Sequence, residues 1–415
     1  MKYIIEGGKQ LKGEVTLSGA KNSALKLMAA SILTKQEVIL ENVPKIGDVF
    51  TMIEVLKSLG VRADFDNGTL VLKADNLTSY EAPFDLVSKM RASIIVLGPL
   101  LARLAKSRVA LPGGCKIGLR KIDIHIRGLE ELGAKIEVSH GFISAQVKRL
   151  TGKKIELDFP SVGATENLLM AAVLAKGTTI IENAAREPEI ADLANFLSNC
   201  GADITGIGTD TIKIEGVKQL KGCRYRVIQD RIEAGTYLAA AACTKGDILI
   251  KSADASLLTM VIHYLKEAGL DITANAKGIR ARSNGCLRAI DLVTLPYPGF
   301  PTDLQGPLVA SLAVAKGSSI VTENVFENRF ILASELNKMG ASVSTQNHHA
   351  VIKGVPNLIG TKVKAPDLRG GAALIIAGLL AKGETVVEDA FHVERGYEDI
   401  SSKLQSLGAD IRVER

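Results

Sequence analysis

The chain has no tryptophan, and aromatic residues make up only 4% of its 415 residues. Proteins that bind single-stranded nucleic acid use basic segments interleaved with aromatics on which bases stack. No such segment occurs here, which argues against nucleic acid as a partner. The five cysteines (115, 200, 223, 243 and 286) form no CxxC pair, and the six histidines form no HxxxH or HxH pair. A disulfide framework and a zinc site of ordinary ligand spacing are therefore not expected. His348-His349 is an adjacent pair on an expected turn, which is no ligand pattern. The longer apolar stretches also fall short. Gly371 to Ala381 is one of them, well below the ~20 residues that a membrane-spanning helix needs. The opening MKYIIEGGKQ has no apolar leader region. The expectation is a cytoplasmic protein with free thiols and no membrane insertion. No low-complexity segment, charge block or Pro/Ser-rich linker breaks the chain. A net charge of +6 suits anionic small ligands without demanding them.

What is present is a repeat. Six helix-like runs stop at glycine: Leu59-Gly60, Leu132-Gly133, Cys200-Gly201, Ala268-Gly269, Met339-Gly340 and Leu407-Gly408. The steps between these glycines are 73, 68, 68, 71 and 68 residues, longer than the common solenoid repeats. The third copy is the easiest to read. Lys153 to Phe159 alternates like a strand. Leu168 to Ala175 is apolar on all sides, which predicts a buried helix closed by Gly177. Thr178 to Glu182 is β-rich. Ile190, Leu193, Ala194, Leu197 and Cys200 recur at helical spacing, and Ala202 to Glu215 reads as two short strands around Gly208-Thr209-Asp210. The order is β-α-β-α-β-β. The other buried helices are expected to begin near Ala20, Lys89, Arg231, Asp303 and Arg369. In the second copy Pro99 is expected to kink or divide the helix. A chain of this length is expected to form two domains of three repeats each.

The starts of the buried helices carry charge: Lys21-Asn22, Lys89 and Arg91, Asp230-Arg231-Ile232-Glu233, Pro301-Thr302-Asp303, and Asp367-Leu368-Arg369. An aspartate there has an ordinary use as an N-cap, which implies no ligand. Lysine and arginine are different, because the positive end of the helix dipole disfavours them. Cations repeated at such places point to an anion that offsets both. Leu111-Pro112-Gly113-Gly114-Cys115-Lys116-Ile117-Gly118-Leu119-Arg120 reads as a mobile, glycine-rich loop. Its cationic neighbours favour the Cys115 thiolate. Cys200 falls on an apolar helix face and is expected in the core. Cys223, Cys243 and Cys286 show no activating context. Arg186, Arg329 and Arg395 occupy equivalent loops of the third, fifth and sixth repeats.

Over its whole length the sequence resembles the UDP-N-acetylglucosamine 1-carboxyvinyltransferases, a family of enolpyruvyl transferases. The resemblance rests on SGAKNSAL (18–25), MRASI (90–94), LPGGCKIG (111–118), SVGAT (161–165), ENAAREPEI (182–190), FPTD (300–303), ENVFENRF (323–330) and HVERGYE (392–398). It implies an α/β (α+β) fold, a two-domain inside-out α/β barrel of six βαβαββ repeats with buried parallel helices, three per domain. One domain would be residues 20–228 with the Cys115 lid loop, the other 1–19 plus 229–415, with the active site in the cleft between them.

The implied reaction moves enolpyruvyl from phosphoenolpyruvate to the 3′-hydroxyl of UDP-N-acetylglucosamine by addition and elimination, releasing phosphate. It is the first committed step of peptidoglycan precursor synthesis. By the same resemblance Lys21, Arg120 and Arg395 would hold the phosphate, and Arg329 and Arg369 the carboxylate of phosphoenolpyruvate. Asn22 and Arg91 would help fix the substrates. Asp303 would be the general base at the sugar hydroxyl, and Cys115 the proton donor and the expected point of attack of the phosphonate epoxide fosfomycin. Arg120, Lys121, Ile122, Asp123, Ile124, Ser161, Val162 and Gly163 would border the uridine diphosphate, with Val325 near the base and sugar. No metal, cofactor or obligate protein partner is implied. The chain departs from the family pattern at Phe159, where many relatives have lysine, and at Ile95, where an aromatic is common. Other readings stay open at this point. One is enolpyruvyl transfer to a shikimate phosphate. Another is a non-catalytic anion-binding repeat scaffold. The last is RNA-end chemistry on the same type of unit, which no basic aromatic surface supports.

Overall fold

The computed structural model describes residues 1–88, 90–111 and 122–415. They form two compact units. The C-terminal unit comprises Met1–Ser18 and Gln229–Arg415; the N-terminal unit comprises the described residues of 19–228. Each unit has its own apolar core.

There are six four-stranded sheets, and none closes into a barrel among the described residues. In the third repeat Lys154–Glu156 runs parallel to Thr178–Glu182. The latter pairs antiparallel with Thr211–Glu215, whose far edge takes Asp203–Thr205. The same first-second-fourth-third order recurs in all six sheets. A parallel first pair needs a crossover, and in the four repeats where that pair is continuous in sequence a buried helix supplies it; in the first and fourth the helix precedes the second strand but follows, along the chain, a first strand of the other unit. The six helices are Lys21–Ala30, Leu97–Leu104, Val162–Ala172, Arg231–Cys243, Gln305–Leu312 and Leu368–Leu380. Most of them are buried around their whole circumference, which is why their sequences carry almost no polar stripe. The sheets alternate buried and exposed residues, as in Thr211–Glu215 and Asp247–Lys251, so each keeps one face toward the core. This is an inside-out α/β fold, with helices at the centre and sheets outside.

The repeat glycines share one local structure. Gly60, Gly133, Gly201, Gly269, Gly340 and Gly408 have φ of 94°, 97°, 96°, 105°, 86° and 92°. At each, the glycine N–H bonds a carbonyl three residues back, as Gly60 does to Lys57 at 3.0 Å. The next N–H bonds a carbonyl five residues back, as Val61 does to Leu56 at 3.0 Å. This is a Schellman ending, which needs a left-handed residue and so selects glycine.

Two repeats are not continuous in sequence. The first strand of the first repeat is Arg224–Arg226, which pairs with Glu37–Glu41. The first strand of the fourth is Lys12–Thr16, which pairs with Asp247–Lys251. Lys2–Glu6 completes the sixth sheet between Glu384–Glu388 and Asp410–Glu414. Both N-terminal strands thus belong to the C-terminal unit. The second repeat also differs from expectation. Its buried helix begins at Leu97, after a 3-10 turn at Arg91–Val96, and not near Lys89. The division falls ahead of Pro99, which takes the third helical position, where an N–H has no partner within the helix. The fifth repeat repeats the device, with a 3-10 turn at Thr302–Leu304 and Pro307 third in its helix. The third repeat's first strand is shorter than expected, Lys154–Glu156, and Phe159 is exposed beyond it.

Candidate active site

In the C-terminal unit two of the expected site residues, Asp303 and Arg369, lie at the starts of buried helices, and Arg329 meets Asp303 from the loop after a strand. Asp367 and Asp230 are N-caps. Asp367 accepts from the backbone N–H of Arg369 (2.8 Å) and Gly370 (3.0 Å), and Asp230 from Ile232 (2.8 Å) and Glu233 (3.1 Å). For these two the ordinary capping use accounts for the residue. Asp303 is different. It lies in the turn before its helix, and its carboxylate faces two guanidinium groups. Arg329 Nη2 bonds Oδ1, while Arg369 donates to Oδ2 from Nη2 at 3.0 Å and from Nε at 3.3 Å. Both arginines are buried, at 6% and 4% exposure, while the Asp303 side chain is 25% exposed. A buried guanidinium needs such a partner, and a two-point grip fixes the carboxylate's orientation.

Neighbours hold this arrangement. Glu323 is buried and accepts from Thr302 Oγ1 (2.9 Å) and from the backbone N–H of Val325 (2.8 Å) and Phe326 (3.0 Å). Thr302 Oγ1 in turn accepts from Arg329 Nε at 3.3 Å. One carboxylate thus sets the loop carrying Val325 and the turn carrying Asp303. The Arg369 guanidinium lies 5.1 Å from the Tyr397 ring centroid, and Tyr397 hydrogen-bonds Thr236 at 2.8 Å. Burial would lower the Arg369 pKa, but Tyr397, Asp303 and Asp230 outweigh it and hold the group above its ordinary value. Arg369 Nη1 is buried without a hydrogen-bond acceptor among the described residues. So is the whole side-chain amide of Gln305, two residues after Asp303. An unmet donor beside a clasped carboxylate is suited to receive an anionic group. Arg395 caps the short helix Phe391–Glu394 of the same unit.

In the N-terminal unit Lys21 and Asn22 open the helix Lys21–Ala30, whose first turn has no acidic residue. The Lys21 ammonium is 2.7 Å from Asp48, which is buried in the first turn of Gly47–Ser58. The charge expected from a bound anion is therefore partly supplied by the protein itself. Ile122, Asp123 and Ile124 lead into the helix Asp123–Glu131, which packs against Val162–Ala172. Ser161 caps the latter, and Val162 and Gly163 begin it. A Cβ at Gly163 would stand 3.0 Å from the His125 ring, so any other residue here would press on that ring. Asn167 orients that ring. Its Oδ1 accepts from Gly98 N–H (2.9 Å), so its Nδ2 faces Ile94 O (3.2 Å) and His125 Nδ1 (2.9 Å). Nδ1 accepts, which leaves the proton of the neutral ring on Nε2, beside Gly163. Cys115, Arg120 and Lys121, and the side chain of Arg91, lie outside the described residues.

Several residues here carry no sequence signal. Glu323, Gln305, Asn167 and His125 look like ordinary strand or helix positions. Glu166 reads as one polar residue in an apolar run. It is fully buried, 2.7 Å from the Lys26 ammonium, and its Oε1 meets no donor among the described residues. Burial, opposed by Lys26, pushes its pKa up to about 7 from 4.5. Between those values the folded chain keeps a proton that the unfolded chain has lost. Its contribution to stability is complete below pH 4.5 and is lost as pH rises toward about 7. The difference in Tm between wild type and Glu166→Gln should therefore shrink or change sign across that window and stay flat above it. A difference independent of pH would mean that Glu166 is ionised throughout.

A family model, EPSP synthase (3-phosphoshikimate 1-carboxyvinyltransferase), matches residues 5–404. UDP-N-acetylglucosamine 1-carboxyvinyltransferase 1 of Caldanaerobacter subterraneus is 53% identical over 410 residues, covering 99% of both chains. The chain belongs to the EPSP synthase family of enolpyruvyl transferases. A second relative, UDP-N-acetylglucosamine 1-carboxyvinyltransferase 2 of Carboxydothermus hydrogenoformans, is 54% identical over 412 residues, 99% of this chain and 98% of its own. Among solved structures, the enolpyruvyl transferase NikO from Streptomyces tendae superposes with a TM-score of 0.90 at 26% identity, covering 99% of this chain and 98% of its own. The EPSP synthase of Acinetobacter baumannii, at 19% identity and a TM-score of 0.76 over the full length of both chains, shares the fold. As in these enolpyruvyl transferases, the fold here is the inside-out α/β arrangement. Among the described residues no group of His, Cys, Asp or Glu is placed to hold a metal ion, and no helix is long and apolar enough to cross a membrane.

Proposed function

We propose that this enolpyruvyl transferase acts in the cytoplasm on phosphoenolpyruvate and the 3′-hydroxyl of UDP-N-acetylglucosamine, releasing phosphate and committing the sugar to peptidoglycan. The names of relatives at 53% and 54% identity support the substrate pair. The clasped Asp303 with the unmet Arg369 donor supports the chemistry. Adding a hydroxyl across a C=C bond that already carries phosphate and carboxylate needs dense positive charge, a base and an acid. Asp303 takes the proton of the sugar hydroxyl as its oxygen attacks C2. Cys115 gives a proton to C3. The tetrahedral adduct then loses phosphate from C2 and a proton from C3. Arg329 and Arg369 exchange part of their grip on Asp303 for the substrate carboxylate. Lys21, Arg120 and Arg395 receive the phosphate. Asn22 and Arg91 position the two substrates. Residues 120–124 with Ser161, Val162 and Gly163 border the diphosphate, and Val325 the base and sugar. Residues of both units act in one reaction, which is the reading's main demand on domain closure.

A phosphate-release assay tests it. Release is expected only with both phosphoenolpyruvate and UDP-N-acetylglucosamine. Fosfomycin is expected to label Cys115 alone, and faster with the sugar nucleotide present. Turnover with shikimate 3-phosphate in place of the sugar nucleotide would move the chain to the other branch of the family. No release with either acceptor would reject the reading.

A further inference from the structure

We propose that Cys200 and Cys223 form a peroxide-reactive dithiol that closes to an intramolecular disulfide within the N-terminal unit. Their sulfur atoms are 3.2 Å apart, although the residues are 23 positions apart in sequence. Cys200 ends the helix Pro188–Asn199, and Cys223 immediately precedes the strand Arg224–Arg226. The backbone on both sides is held. Lys221 N–H donates to Cys200 O at 2.8 Å, Ile39 N–H to Cys223 O at 2.9 Å, and Gly222 N–H to Gln36 Oε1 at 3.0 Å. The fold therefore holds the two cysteine backbones side by side. A disulfide has an S–S length of about 2.05 Å, so closure needs the sulfurs to approach by only about 1 Å.

The pair is asymmetric in the way such chemistry requires. Cys200 is buried, and Cys223 is half-buried. The contact with Cys200 lowers the Cys223 pKa from its ordinary value, while the same contact and burial raise that of Cys200. The reachable sulfur is thus the better thiolate, and the buried one stands ready to resolve it. Cys243 makes the contrast. Burial pushes its thiol up to about 12, and it donates to the Ala240 carbonyl at 3.4 Å with no second thiol beside it among the described residues.

The chemistry balances with a hydroperoxide as oxidant. The Cys223 thiolate attacks one peroxide oxygen and the O–O bond breaks. The departing oxygen takes a proton and leaves as alcohol, or as water from hydrogen peroxide. Cys223 is now a sulfenic acid. The Cys200 sulfur attacks it, the S–O bond breaks, and hydroxide leaves as water with the Cys200 proton. Two thiols and one peroxide become one disulfide, one water and one alcohol.

The bridge ties the end of the helix Pro188–Asn199 to the edge strand of the first sheet, an existing junction. Tyr225 OH on that strand already donates to Asp192 of the helix at 2.7 Å, and Ser23 of the helix Lys21–Ala30 donates to the same carboxylate. Closure therefore adds to a native contact and encloses the strands Asp203–Thr205 and Thr211–Glu215 in a covalent loop. It should raise stability, by chain entropy in the unfolded state.

The test uses the whole chain with stepwise additions of hydrogen peroxide, followed by denaturing alkylation and non-reducing peptide mapping. The expected product is a Cys200–Cys223 cross-linked peptide, two hydrogens lighter, formed before the exposed Cys286 is oxidised and reversed by dithiothreitol. Tm should rise by roughly 5 °C or more on oxidation. In Cys223→Ala, Cys200 should stay reduced at the same dose and the Tm rise should vanish. The proposal is overturned if Cys223 runs on to sulfinic acid uncrosslinked, if either thiol pairs instead with Cys115 or Cys286, or if both stay reduced when Cys286 is oxidised.

Discussion

Asp303→Asn should lower turnover by about 10²–10⁴-fold, the usual cost of losing one general base. Asparagine matches the shape of the carboxylate and keeps one oxygen for an arginine donor, but it cannot take a proton from a hydroxyl. The structure adds a second consequence. Arg329 and Arg369 both rest on this carboxylate and both are buried. With the charge gone they lose that compensation, so Tm should fall by a few degrees. The two effects separate experimentally. Calorimetric binding of UDP-N-acetylglucosamine should persist in a folded variant whose steady-state phosphate release has collapsed. Turnover near the wild-type rate in a folded variant would remove Asp303 from the chemistry and leave it as the anchor of two arginines.

Arg369→Lys should raise KM for phosphoenolpyruvate by roughly 10–100-fold, since each charge-assisted hydrogen bond is worth about 1.5–3 kcal/mol. The guanidinium reaches Asp303 through two nitrogens, lies against Tyr397, and has a third nitrogen without an acceptor among the described residues. An ammonium group is a single point and cannot serve Asp303 and a substrate carboxylate together. The KM for the sugar nucleotide should change far less. A fall in Tm with KM for phosphoenolpyruvate unchanged would confine Arg369 to a structural role.

Much of this was legible along the chain. The six terminal glycines lie where short-range geometry is decisive, because a Schellman ending depends on one left-handed residue and its two flanking hydrogen bonds. The buried helices could be read because a segment enclosed on all sides must be apolar on all sides. The strands beside them followed from their two-residue alternation and β-rich composition. Short-range chemistry left undivided the positions where one residue type has two uses. Asp230, Asp303 and Asp367 look alike as helix-start aspartates. Two cap their helices, and the third turns to Arg329 and Arg369, which come from the fifth and sixth repeats. Helix-start chemistry alone does not separate them; the FPTD motif (300–303) singles out Asp303 only through the family resemblance. Cys223 read as inert because its activating neighbour, Cys200, is 23 residues away.

The sequence by itself therefore determined the repeat, its β-α-β-α-β-β grammar, the ends of its helices and the family to which its motifs belong. All of these rest on interactions between residues a few positions apart, or on motifs written contiguously. Tertiary structure decided which strands complete which sheet. Arg224–Arg226 serves the first repeat and Lys12–Thr16 the fourth, since a sheet edge accepts any strand with free backbone groups and a suitable buried face. It also decided which charges meet. Asp303 with its two arginines, Glu166 with Lys26 and Cys200 with Cys223 are pairings across the core, where long-range packing sets the distance and burial sets the chemistry.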